Sequence, residues 1–210
     1  MNFFTYPTIY FITIVVMLFY YKKYRDNLKL KLFLYFLIYS FLTEVVGGYL
    51  GRVLQIDNNW IYNTWNIVNH LFYAFFFMAF INNNSKRNFI LTLIVCYILF
   101  TLVNIFFIRS YFNQVLINNI IIGSIIIVLV IVLFYVELLN SDAILNINRS
   151  LVFWISIGVL LSNIVLIPVW VFAETLSFRG VYAYLILGSN VLMSICFITG
   201  FIVSKKEFNT

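Results

Sequence analysis

Apolar residues run along this chain in seven long blocks, near 3–21, 31–51, 60–81, 89–108, 115–138, 151–172 and 181–203. Each is close to the roughly 20 residues that an α-helix needs to cross the hydrocarbon of a bilayer. The pattern predicts an all-α, polytopic integral membrane protein with seven transmembrane helices. The connections are short and polar, as in Tyr21–Lys31 (YKKYRDNLKLK), Asn82–Asn88 (NNNSKRN), Asn140–Arg149 (NSDAILNINR) and Glu174–Gly180 (ETLSFRG). None could fold alone, so residues 1–210 are expected to form a single membrane domain. The first block has no basic segment before it and no small-residue cleavage site after it. It reads as a retained helix rather than a signal peptide.

Polar residues inside these blocks carry the next layer of information. In the third block, Asn63, Asn66, His70 and Tyr73 recur at spacings of three and four, which places them on one helical face. His70 is the single histidine of the chain. A polar stripe against lipid is costly, so this face should turn toward other helices or a water-filled space. Glu44 is the acid placed deep in the second block. Leaving its charge in hydrocarbon would cost about 3 kcal/mol, so it must be protonated, paired or wetted. Asn163 and Asn190 lie near the middles of the sixth and seventh blocks. At about 1.5 Å per residue, Glu44, His70, Asn163 and Asn190 each fall within roughly 5 Å of the midplane. A Glu44–His70 pair is expected, because each would stabilise the charged form of the other. Tyr97, Thr101 and Asn104 form a further stripe on the fourth helix. Trp60, Trp65, Trp170 and Tyr182 fall near block ends and read as interfacial anchors.

Composition sharpens the class. The chain is 64% hydrophobic and 10% charged, with a mean hydropathy of +1.02. Soluble domains carry about 25% charged residues. Cys96 and Cys196 sit inside apolar runs and read as buried free thiols. With two Cys and one His, the usual zinc ligand sets are not available without carboxylates. The net charge of +6 has a topological explanation. With loops numbered alternately, ten basic residues fall on one side: Lys22, Lys23, Arg25, Lys29, Lys31, Lys86, Arg87, Arg149, Lys205 and Lys206. Arg52, Arg109 and Arg179 fall on the other. The bias predicts an N-terminus outside and a C-terminus in the cytoplasm, in an inner (plasma) membrane. It also accounts for the charge through lipid and topology, with no nucleic-acid partner.

Three helix pairs align without gaps. Leu42–Val46 lies over Leu161–Val165 at an offset of 119, which pairs Glu44 with Asn163. Asn69, Phe76 and Phe80 lie over Asn190, Phe197 and Phe201 at an offset of 121. Leu18-Phe19-Tyr20 lies over Leu133-Phe134-Tyr135 at an offset of 115. The expected plan is a triple-helix unit over 1–81, a linker helix over 89–108 and a second unit over 111–204, with parallel repeats. This 3+1+3 plan resembles the SWEET/PQ-loop sugar transporters and the wider transporter–opsin–receptor grouping. The portion around Glu44 and Asn59–Trp65 is also similar to short seven-helix bacterial membrane proteins. Two features depart from those groups. No Pro-Gln pair occurs, and the seventh block has no lysine to hold a retinal.

Neither HExxH, GxSxG nor a DxD-type motif occurs, and the expected function is not catalysis. The expectation is a midplane polar pocket that binds and transports a small molecule or ion, without a cofactor or a metal. Its candidate ligand-binding residues are Glu44, His70, Asn66, Asn163, Asn190, Tyr73 and Asn104. One alternative is a sensor or receptor subunit that signals through a partner protein. A further alternative is a pore-forming or assembly subunit. Partners would be the lipid bilayer, the ligand, and a second copy or a signalling protein.

Overall fold

A computed structural model describes residues 5–173 and 180–209, with backbone alone at 142–145. Most of the Glu174–Gly180 connection, with Arg179, lies outside the described residues. Seven α-helices occur among the described residues: α1 Thr5–Phe19, α2 Leu28–Arg52, α3 Asn59–Met78, α4 Asn84–Val103, α5 Ile117–Leu139, α6 Leu151–Val171 and α7 Val181–Val203. Five are long and apolar enough to cross a membrane: α2, α5, α6, α7, and α4 together with the π-helical turn Asn104–Ile108 that continues it. The described part of α1 is apolar but shorter. In α3 the apolar run is diluted by Asn59, Asn63, Asn66, Asn69 and His70.

Helix starts depart from the hydropathy blocks for a local reason. Asn27 Oδ1 accepts from the amides of Lys29 (2.9 Å) and Leu30 (3.4 Å), so α2 begins at Leu28. Asn83 Oδ1 accepts from Lys86 N at 3.1 Å, so α4 begins at Asn84. Capping residues are polar and therefore fall just outside an apolar block.

Six helices close a ring. α1 packs on α2, α2 on α3, α3 on α5, α5 on α6, α6 on α7, and α7 returns to α1; α4 lies outside, against α5 and α3. Small residues set the α6–α7 seam. A Cβ on Gly200 would lie 2.5 Å from Trp154 Cβ, and one on Gly158 would lie 3.0 Å from Cys196 Cβ. Hydroxyl pairs cross the seams: Thr13–Ser194 (2.5 Å) joins α1 to α7, and Ser162–Ser189 (2.8 Å) joins α6 to α7. Cys96 and Cys196 are free thiols, but not the buried ones expected: Cys96 is exposed and Cys196 half-buried, because an apolar run in a lipid-facing helix does not bury every residue within the protein.

One end of the ring gathers the basic residues. Lys23 Nζ donates to the carbonyls of Phe201 (3.0 Å) and Ile202 (2.7 Å), and Lys29 Nζ to that of Ala79 (2.5 Å). These lysines meet the carbonyl-rich ends of α7 and α3, where the helix dipole is negative. Lys206 pairs with Asp26 at 2.8 Å, and Lys86 with Glu137 at 2.7 Å. The half of the ring next to this basic end is filled by aromatic rings. Phe36 stacks on Phe72 with centroids 4.0 Å apart, and Phe33 meets Phe197 edge-on at 5.2 Å. Phe33 and Phe77 are fully buried. Large apolar side chains such as Phe19, Phe106 and Phe107 are exposed, as suits a surface whose solvent is lipid.

Candidate functional site

Toward the opposite end, the ring helices enclose a cavity of about 290 Å³. Every ring helix contributes: Tyr10 from α1, Glu44 from α2, Tyr62 to Tyr73 from α3, Ser124 from α5, Asn163 from α6 and Asn190 from α7. On α3 the lining positions Tyr62, Asn66, Asn69 and Tyr73 recur every three or four residues, so one face of the helix forms the wall.

The structure brings six of the seven residues expected from sequence onto this one cavity: Glu44, Asn66, His70, Tyr73, Asn163 and Asn190. Asn104 is not among them. It is fully buried between α4 and α5, where its amide donates to Asn119 Oδ1. Asn119 Nδ2 in turn donates to Thr101 Oγ1 at 2.6 Å, and Thr101 Oγ1 donates to the Tyr97 carbonyl at 2.8 Å. The expected fourth-helix stripe is therefore an interhelical seam. Asn63 is also turned away from the cavity. Its Nδ2 donates to the carbonyls of Tyr111 and Gln114, both at 2.8 Å, and its Oδ1 accepts from Leu116 N at 3.0 Å. It clamps the connection that leads into α5.

Glu44 receives a hydrogen bond from the Tyr62 hydroxyl at 3.5 Å, the long limit for such a bond. Gly47 makes room for that ring, since a Cβ there would lie 3.0 Å from Tyr62 Cζ. His70 is held elsewhere. Its Nδ1 lies 3.2 Å from the Tyr97 hydroxyl, and its ring rests on Gly123, where a Cβ would lie 2.5 Å from Cγ. No hydrogen bond or ion pair joins Glu44 to His70 among the described residues. Tyr62 sits two turns before His70, about 12 Å along α3, so the two groups find separate tyrosine partners.

Three of the five asparagines that line the cavity share one arrangement. Asn66 Nδ2 donates to the Tyr62 carbonyl (2.8 Å), Asn163 Nδ2 to Val159 (2.8 Å) and Asn190 Nδ2 to Ile186 (2.9 Å). Each bond runs to the carbonyl four residues back on the same helix. A carbonyl can only accept, so the amide NH2 must face it and Oδ1 must face away. Among the described residues, no donor reaches these three oxygens.

Several lining residues escaped the sequence reading. Trp65 and Trp170 line the cavity rather than acting only as interfacial anchors, and Trp65 Nε1 donates to Ser40 Oγ at 3.0 Å. Trp60 is exposed, as an anchor should be. Trp170 lies seven residues after Asn163, so extending that helical face would have found it, whereas Trp65 lies off the Asn63, Asn66, His70 and Tyr73 face and no periodic signal marked it. Tyr6, Arg52 and Asn59 line the outermost part, at helix ends. No group of three His, Cys, Asp or Glu side chains able to hold a metal occurs among the described residues.

No protein-family model matches this chain, and neither a curated protein nor a solved structure matches it.

Proposed function

We propose that this membrane protein binds a small molecule in the Glu44 cavity and carries it across the bilayer. One observation carries the reading. A cavity of about 290 Å³ lies among six helices, and its wall holds a weakly bonded carboxylate and three amide oxygens that no donor reaches among the described residues. Polar groups buried among apolar helices are ordinarily satisfied, so surplus acceptors around a space mark a ligand site. The positive-inside bias supports placing the basic end in the cytoplasm, so the cavity belongs to the outer half. The aromatic layer of Phe33, Phe36, Phe72 and Phe197 then separates it from the cytoplasm, and transport requires those rings to part.

The ring order supports a duplicated 3+1+3 architecture. In such a plan, a half-turn about the membrane normal would exchange the α1–α2, α2–α3 and α3–α5 seams with α5–α6, α6–α7 and α7–α1, and all six seams are present. The aligned pairs Glu44/Asn163 and Asn69/Asn190 all line the same cavity.

The purified protein would be screened by thermal shift in detergent against small polar cations, anions and neutral molecules. At least one compound should raise the unfolding midpoint of the native chain and leave a cavity-filling Asn163→Phe variant unmoved. That compound should then accumulate in proteoliposomes. Equal shifts in both proteins would defeat the site, and binding without uptake would indicate a receptor. For orientation, reporter fusions at Asn83 and Thr210 should both report cytoplasm; an external signal at either would reverse the placement.

A further inference from the structure

Building on the proposed binding role of this cavity, we infer that its ligand is a small organic amine held as an ammonium ion. The first ground is the hydrogen-bond capacity of the wall. Asn66, Asn163 and Asn190 each donate one N–H to their own backbone, which leaves one N–H and an oxygen with two lone pairs on each. Glu44 adds a carboxylate, which as an ion accepts and never donates. The Tyr and Ser hydroxyls can serve either way. These four side chains therefore hold more acceptor sites than donors, and a ligand rich in N–H donors satisfies them.

Charge points the same way. A carboxylate among apolar helices needs a positive partner, and Tyr62 supplies a neutral hydroxyl at 3.5 Å. Arg52, the last residue of α2, lines the same cavity and its charge acts on Glu44, but no ion pair joins the two among the described residues. An ammonium beside Glu44 would supply the close positive partner.

The aromatic content completes the case. Tyr10, Tyr62, Trp65, Tyr73 and Trp170 surround the space. Their rings offer negative faces to a cation and apolar surface to its carbon skeleton. A bare metal ion would leave that surface unused. At about 30 Å³ per water-sized group, 290 Å³ admits about ten non-hydrogen atoms.

The test uses benzylamine, benzyl alcohol and benzoate, which share a ring and differ in charge. Binding to the full-length protein in nanodiscs would be followed by the fluorescence of Trp65 and Trp170, with calorimetry as a label-free check. Benzylamine should bind about tenfold or more tightly than benzyl alcohol, the gain expected of a charge-assisted bond plus a cation–π contact, and benzoate should bind most weakly. Glu44→Gln should erase the preference for the amine over benzyl alcohol. Because the three ligands are also compared on the native chain, the outcome does not depend on how that variant folds. Equal or tighter binding of the alcohol or of benzoate would overturn the ammonium assignment while leaving the site intact. If the thermal-shift screen also finds no compound of any charge, the binding reading fails with it.

Discussion

Two polar clusters occupy this bundle, and they differ in what their side chains bond to. Between α4 and α5, Thr101, Asn104 and Asn119 bond mainly to one another. Around the cavity, Asn66, Asn163 and Asn190 each bond back to their own helix and leave an oxygen over. The first arrangement ties two helices together. The second contributes nothing between helices and turns acceptors toward a cavity. Residue type does not separate the two, since both are built from asparagine, and Asn104 Oδ1 is likewise without a partner among the described residues. What separates them is where the amide N–H goes, across to a neighbouring helix or back to its own. His70 touches both, because it lines the cavity and lies 3.2 Å from Tyr97 on α4.

That position makes Gly123→Val the most disruptive change. Its Cβ would begin 2.5 Å from the His70 ring, so His70 must leave its seat. Overpacking of this kind costs about 3 kcal/mol. Thermal unfolding in detergent should fall steeply, and the ligand-induced shift should disappear. A variant with native stability and native binding would show that His70 couples neither cluster.

Asn119→Leu should break the α4–α5 cluster alone. It strands the Asn104 amide and removes the donor to Thr101, at a cost of about 1–2 kcal/mol. The unfolding midpoint should drop while benzylamine affinity holds. Asn163→Leu should do the reverse. It removes a bond within one helix, so stability should stay within about 0.5 kcal/mol, while affinity falls about threefold for one lost ligand bond. If both variants changed stability alone, the division between seam and site would collapse.

The smallest effect belongs to Asp26, remote from both clusters. Its hydrogen bond and ion pair with Lys206 hold its carboxyl below the usual carboxylate range. A carboxyl lowered in the folded state stabilises above its unfolded range, and that gain is lost as pH falls through the folded value. The difference in unfolding midpoint between the native chain and Asp26→Asn should be small and constant near neutrality. It should vanish as pH drops below about 4. A difference that grew on acidification would contradict this tie. Both partners are exposed, so the effect should also shrink in salt.

The seven apolar blocks were legible because a bilayer forces long apolar runs, and no packing detail can substitute for them. Glu44, Asn66, His70, Tyr73, Asn163 and Asn190 were legible as site candidates because polarity in a membrane segment demands a partner or a cavity. Helix starts at Leu28 and Asn84 were not, since the caps Asn27 and Asn83 look like loop in a hydropathy pattern. Nor was the separation of Asn104 and Asn63 from the cavity group. Periodicity along one helix gives a face but not its neighbour. Trp65 and Trp170 were misread for the same reason, because an aromatic near a helix end suits an interface and a cavity wall equally well. The sequence by itself thus determined the membrane class, the helix count and the polar residues that require an explanation. Only the tertiary structure decided which of them meet, because ring order, the small-residue seams and the His70–Gly123 seat depend on residues far apart in the chain that no local pattern connects.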